Sequence, residues 1–443
     1  MASPTEHNVY MFAPYLHFET DTQRREMQEV AKRATGDLDG KSVRFGPNHP
    51  IHQTSPDELL IRAYLQLPVS KLHPRRTLDQ SFYRTIDTDF RDKTQVVYRY
   101  AQQHGSAQEP LKVLMVDQLW MWIVGDLVLT SFPQRWRQPR EDPLNVLEST
   151  LEEINSNAAE QVENIYDLAV MIGGRCFGTF DRSSITRDGS RFLDMFESSI
   201  GVAMDKETTL FSQFKDASQQ VSLDLQRRQQ SLQRAEHLGH ITATKGEEEI
   251  VWETSKDVRA HSHQKERAIQ TLLDIGLETE LLSEVKDISD ELDMVKMVFD
   301  QQNQVLDQAH AAMELILGTK DEPQMEAGPD AERRKITKRL DQNRRAVEHS
   351  VKEIDRMDKQ AQRIYKSMCD LLDLKQKYAN AIEARYSRIQ AEETARQGKE
   401  MARQGRETAR QGQTLMVFTI ATVIFLPLSF IAAYVTRAST SML

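Results

Sequence analysis

Hydroxyl-bearing and small side chains recur along the apolar stretch near the C-terminus. Thr419, Thr422, Ser429, Ala433 and Thr436 fall within an arc of about 100° on a helix of 3.6 residues per turn. A stripe of that kind can line a narrow pore or let helices pack against one another. Other reactive residue types offer less. His261 and His263 flank Ser262 in polar sequence with no nucleophile or acid arrangement nearby, and read as surface residues. Glu247-Glu248-Glu249 reads as a solvated run rather than a metal site. Gly173-Gly174-Arg175-Cys176-Phe177-Gly178 lacks the spacing and the lysine of a phosphate loop, and is expected to be a turn. Cys176 and Cys369 are the only cysteines, too far apart for a disulfide framework or a zinc site, and they fit a reducing cytosol. No catalytic or cofactor-binding residue and no metal ligand is assigned, and the chain is not expected to be an enzyme.

The element that positions the hydroxyl stripe is the run Leu415–Val435, LMVFTIATVIFLPLSFIAAYV, which carries no charge. At about 1.5 Å per residue it spans about 30 Å, the thickness of a bilayer's hydrocarbon core. Residues 415–436 are therefore expected to form a transmembrane helix, with 437–443 as a short tail. Pro427 removes the hydrogen bond to the Val423 carbonyl and should bend this helix. Arg396, Lys399, Arg403, Arg406 and Arg410 precede the run and Arg437 follows it. Basic excess stays on the cytoplasmic side, so the N-terminal body is expected in the cytosol of an integral membrane protein.

Immediately before the run stand three seven-residue repeats, ETARQGK, EMARQGR and ETARQGQ, over 393–413. Their period places Ala395, Gly398, Ala402, Gly405, Ala409 and Gly412 on one face. Small residues along a seam let identical helices approach closely, which makes this face a candidate oligomer seam. The alternative is a solvated, weakly helical linker, since each glycine costs about 1 kcal/mol of helix propensity against alanine. The same 3/4 spacing continues through Met416, Thr419, Val423, Leu426, Phe430 and Ala433, so Leu426 joins the pore or packing face.

Upstream, residues 266–414 read as long coiled-coil-like stalk helices. Val285, Ile288, Leu292, Val295, Phe299, Gln302, Leu306, Ala309, Met313 and Ile316 follow a heptad pattern that ends at Gly318. A second helix is expected from near Ala331, with Ile336, Leu340, Val347, Ile354, Met357, Ala361, Ile364, Met368, Leu371, Tyr378, Ile382 and Ile389 as its seam. Asn343, Ser350, Lys375 and Arg385 are polar insertions in it. A short connection makes the two an antiparallel hairpin.

Residues 1–265 are expected to form a cytosolic α/β domain. Lys112–Phe132 carries the clearest strand signal, three apolar runs separated by Asp117-Gln118 and Gly125-Asp126, both of which suit tight turns. Val96-Val97-Tyr98 is a short β-favouring stretch, and Pro143 can open a helix. The N-terminus has no secretory signal pattern. With 57 basic and 67 acidic residues the net charge is −10. That argues against nucleic acid as a partner, because phosphate binding needs a basic footprint.

A long stalk entering the membrane through TVIFLPLSFIAA (422–433) resembles the first transmembrane segment of the CorA family of divalent-cation channels, and its filamentous-fungal branch in particular. RTLDQSFY (76–83), VVYRY (96–100), MVDQLWMWIV (115–124) and TSFPQRW (130–136) carry the same resemblance, which covers about residues 70–434. It implies a homo-pentamer with an α/β cytosolic domain and two membrane helices per subunit. It also implies a pore ending in a Gly-Met-Asn loop that contacts hydrated Mg²⁺. Here Thr436-Arg437-Ala438 stands where that loop is expected, and no second membrane helix precedes Leu443. The expected fold class is α+β and helix-rich, with the helical hairpin continuing into one transmembrane helix. The expected function is that of a membrane-anchored CorA-like protein of the Mg²⁺ transport family, as a degenerate or truncated subunit that does not conduct alone. The alternative is a tail-anchored coiled-coil scaffold. No cofactor is expected beyond Mg²⁺ as a transported or regulatory ion, and the expected partners are membrane lipid and further copies of the chain.

Overall fold

The computed structural model describes residues 8–36, 75–83, 85, 87–104, 110–135, 138, 142, 144–156, 162–182, 191–238, 266–318 and 328–440. By their contacts they fall into two units, Met1–Leu371 and Leu372–Leu443. The first is built on a small antiparallel sheet of β1 (Val9–Thr20), β2 (Arg76–Thr77), β3 (Lys112–Val124) and β4 (Leu127–Ser131). β3 is central. It pairs with β1 from Val9↔Ile123 to Thr20↔Lys112, and on its other edge with β2 and β4. The return into β4 passes through Gly125 at φ 55, a left-handed conformation that glycine adopts without a steric cost.

Period-two alternation sends Leu119, Met121 and Ile123 into the core, while Trp120 and Trp122 face outward beside Phe12 with edge-on ring contacts. The short helices α1 (Asp21–Gly36), α2 (Leu78–Phe82), α3 (Asp89–Thr94) and α4 (Val96–His104) gather around β1–β3. Then follow α5 (Val146–Asn155), α6 (Ile165–Phe177) and α7 (Thr179–Arg182). Then come α8 (Phe192–Leu238), the short α9 (266–273), α10 (Gly276–Gly318) and α11 (Gly328–Thr440), of which α11 belongs to the first unit as far as Leu371 and to the second beyond it. The inner sheet face lies against α10, where the Gln302 side-chain amide donates to the Pro14 carbonyl at 3.0 Å.

α10 and α11 run antiparallel. Ser289 donates to Asp358 at 2.6 Å, and seven residues further along α10 Lys296 reaches back to Asp355 at 2.6 Å. The heptad positions from Val285 to Met313 are buried except for half-buried Ala309, and Ile336, Leu340, Val347, Ile354, Met357, Ala361, Ile364, Met368 and Leu371 are buried opposite. The polar insertions divide: Ser350 and Lys375 are buried, Asn343 is half-buried and Arg385 is exposed.

Three local expectations are corrected. Asp117-Gln118 is no turn, because β3 runs unbroken through it. The buried Asp117 carboxylate is held by Arg75 Nε at 2.9 Å and a second guanidinium nitrogen at 3.0 Å, so the charge is satisfied inside the sheet. Val96-Val97-Tyr98 opens helix α4 rather than a strand. Both Glu291 carboxylate oxygens accept from the Val96 amide, at 3.0 and 2.9 Å, and supply the cap that the local sequence lacks. Gly173 and Gly174 lie buried within α6, not in a turn. The helix tolerates them because Asn343 of α11 packs onto Gly174: a methyl group there would meet the Asn343 side-chain oxygen at 2.6 Å. α5 opens at Val146 under an Asn145 cap, and Pro143 lies outside the described residues.

That close approach is testable. Gly174→Ala must displace Asn343 and break its 3.3 Å hydrogen bond to the Val170 carbonyl. The expected net cost is about 1 kcal/mol, since the lost bond and overpacking outweigh the gain in helix propensity. Combining it with Asn343→Ala should cost less than the sum of the single changes, as read by chemical denaturation of all four variants.

Candidate functional site

The C-terminal part of α11 carries the residues that the sequence singled out. Among the described residues one helix is long and apolar enough to cross a membrane, and none of its apolar window is buried. Phe418 is 68% exposed, Phe425 71% and Phe430 75%, values that water would penalise heavily and lipid would not. Three hydroxyls of the apolar stretch bond within the helix. Thr419 donates to the Leu415 carbonyl at 2.7 Å, Thr422 to Phe418 at 2.6 Å and Ser429 to Leu426 at 2.8 Å. Each hydroxyl hydrogen is therefore satisfied without water, the condition for a polar side chain in hydrocarbon. Pro427 sits inside the helix. Ala433 and Thr436 lie on the same continuous helix, which runs to Thr440.

The candidate seam is also helical. Ala395, Gly398, Ala402, Gly405, Ala409 and Gly412 are exposed, and a methyl group added at Gly398, Gly405 or Gly412 would meet no atom within 4 Å. The face is thus open for close approach by another helix. His261, His263 and the 247–249 glutamates lie outside the described residues, and among the described residues no three His, Cys, Asp or Glu side chains are grouped to hold a metal ion.

A second constellation lies in the first unit. Arg75 is buried between Asp117 and Glu19, with Glu19 at 2.5 Å, and it also donates to the Phe18 carbonyl at 3.2 Å. Close by, His17 is held by the backbone. Its Nε2 lies 3.2 Å from the Leu144 carbonyl, and its Nδ1 accepts from the Phe18 amide at 2.8 Å. A neutral ring with hydrogen on Nε2 makes both bonds, and Nδ1 also lies 3.0 Å from the Phe18 carbonyl. Burial and the nearby Arg75 charge lower its pKa from 6.5 to about 4. Arg24 anchors another cluster, reaching Asp92 at 3.0 Å and Asp21 at 3.2 Å. Burial raises the Asp92 pKa from 3.8 to about 6, against the opposing pull of Thr77 and Arg24. These groups are committed to tertiary contacts and bear on stability. A cavity of about 290 Å³ lies at the other end of β1 and β3, lined by Met11, Met121, Phe177, Met313 and Leu340, with Asn343 at its wall.

His17 and Asp92 make opposite predictions for pH. His17 is kept neutral, so its contribution is fully present above pH 6.5 and is lost as pH falls toward 4. Asp92 keeps its proton in the fold, so its contribution is full below pH 3.8 and is lost as pH rises toward 6. Each slope is about 1.4 kcal/mol per pH unit, and in the wild type they oppose one another. Relative to wild type, His17→Gln should make stability fall more steeply with rising pH across 4.5–6, and Asp92→Asn should make it rise. Denaturant midpoints of the detergent-solubilised variants at both ends of the interval check this.

No family model matches the chain, and no curated protein and no solved structure matches it.

Proposed function

We propose that this chain is a membrane-anchored protein of the CorA-like divalent-cation transport lineage, assembled as a homo-oligomer with its large N-terminal body in the cytosol. The observation that carries the reading is α11. One helix supplies buried core positions from Ile336 to Leu371 and, further along, an apolar window with no buried residue and internally bonded hydroxyls. The substrate class is a hydrated divalent cation, Mg²⁺ by resemblance. The face of Thr419, Thr422, Leu426, Ser429 and Ala433 is assigned to the pore or to packing around it. The small-residue face of 395–412 then brings copies of the helix together.

A second reading is favoured by Thr436-Arg437-Ala438. An arginine near a cation entrance repels a divalent ion by several kcal/mol at about 5 Å and an effective dielectric near 20. On that reading the helix anchors a scaffold and conducts nothing. Purified protein in liposomes loaded with a Mg²⁺-sensitive dye separates the two readings. Influx above that of empty liposomes supports transport, and Arg437→Asn should then increase it.

Both readings require anchoring and association. The protein should resist carbonate extraction, and protease added outside sealed membranes should remove the N-terminal body; release by carbonate overturns both. Replacing Gly398, Gly405 and Gly412 with leucine adds bulk to the open face while favouring the helix. Cross-linked oligomers of the detergent-solubilised protein should therefore be lost, and an unchanged ladder refutes the seam.

A further inference from the structure

The seven-residue repeat does more than align small residues. Arg396, Lys399, Arg403, Arg406 and Arg410 alternate at spacings of three and four, and on the helix they occupy an arc of about 80°. All five are exposed. The stripe runs about 21 Å along the axis and is centred about 110° around from the small-residue face. Glu393, Glu400 and Glu407 take register positions on the far side of the basic stripe, about 170° from the small face. When the small faces meet in a bundle, the cations therefore lie on its flank rather than at its centre.

We propose that this basic face binds the headgroups of anionic phospholipids in the leaflet that the apolar run enters; the inference rests on the membrane reading above. Charge complementarity and continuity with the apolar run select this occupant. Arg410 precedes Leu415 by five residues, about 7.5 Å along the axis, which places its side chain within the headgroup layer. Arg406 follows at about 13 Å, close enough for a flexible guanidinium to reach the same layer. The remaining cations lie beyond a Debye length from the surface of an upright helix and contribute little there. Their confinement to one face matters when the helix tilts. A tilt toward the basic side lowers the whole stripe onto the surface, whereas a tilt in any other direction does not. The stripe thus makes lipid charge a determinant of the helix's inclination. Clustered juxtamembrane cations attract acidic lipid in this way, each adding severalfold to local occupancy.

Electron spin resonance of the full chain in phosphatidylcholine vesicles with spin-labelled phosphatidylglycerol or phosphatidylcholine tests this. The motionally restricted fraction should favour phosphatidylglycerol by about tenfold, and the preference should shrink between about 50 and about 500 mM NaCl. The triple variant Arg403→Gln, Arg406→Gln, Arg410→Gln should lose most of the preference, yet still float with neutral vesicles as wild type does. Equal restriction of the two lipids by floating wild-type protein overturns the proposal and leaves the anchor intact. So does a preference that the triple variant retains, since the selectivity then comes from another part of the chain. Failure of the wild type to float with neutral vesicles overturns the membrane reading itself, and this inference with it.

Discussion

One buried guanidinium organises the first unit. Arg75 stands between Glu19 at the end of β1 and Asp117 in the middle of β3, and it precedes the two residues of β2. All three charged groups are almost fully buried, so each depends on the others for its solvation. Removing Arg75 alone would leave two carboxylates in a low-dielectric core. Replacing all three with apolar residues of similar volume would be far milder. The arrangement specifies register: a one-residue slip of β3 would turn Asp117 to the outer face and present Gln118 to the arginine. It also shapes the surroundings. The Arg75 charge helps keep His17 neutral, and the neutral ring bridges β1 to the Leu144 carbonyl ahead of α5.

Legibility in the sequence followed the range of the interactions. The seams of α10, and of α11 as far as Leu371, and the apolar run depend on periodicities within single segments and are readable there, whereas Tyr378, Ile382 and Ile389 of the expected seam are only half-buried. Asp117 was misread because a charged residue between apolar runs locally looks like a turn. Its partner Arg75 lies 42 residues away, and the residues between the two carry no sign of the pairing. Val96 opens a helix because of Glu291, 195 residues distant, whose carboxylate replaces a local cap. Gly174 is explained by Asn343, already visible as a polar interruption of an apolar seam. That interruption was the one available signal: a polar seam residue needs a partner, and an unexplained glycine in an apolar helix is a natural place for one.

The candidate site shows the converse. Its helix and its exposure follow from local sequence alone. The hydroxyls of Thr419, Thr422 and Ser429 bond to carbonyls three or four residues earlier, a pattern that any helical threonine or serine can adopt. Such bonds make the residues tolerable in lipid but do not show which way the helix turns. Orientation within an assembly has to come from asymmetry around the axis, and 393–413 supplies it. Small, basic and acidic residues each keep their own stripe through three repeats.

That asymmetry bears on the choice between channel and scaffold. A helix whose sole task is to anchor a domain needs an apolar run of sufficient length and a basic end, and neither requires a heptad phase. The small-residue phase of the repeats instead continues into the apolar run through Thr419, Leu426 and Ala433 without a shift in register. Three glycines weaken the isolated helix, a cost that close approach of a second helix would offset. Association is therefore common to both readings. The distinction rests on whether the face brought together inside the membrane is wide enough to hydrate an ion. The small and hydroxylated residues at 419, 422, 429 and 433 argue for that width, and the bulk of Leu426 and Phe430 within the same phase argues for a closed seam.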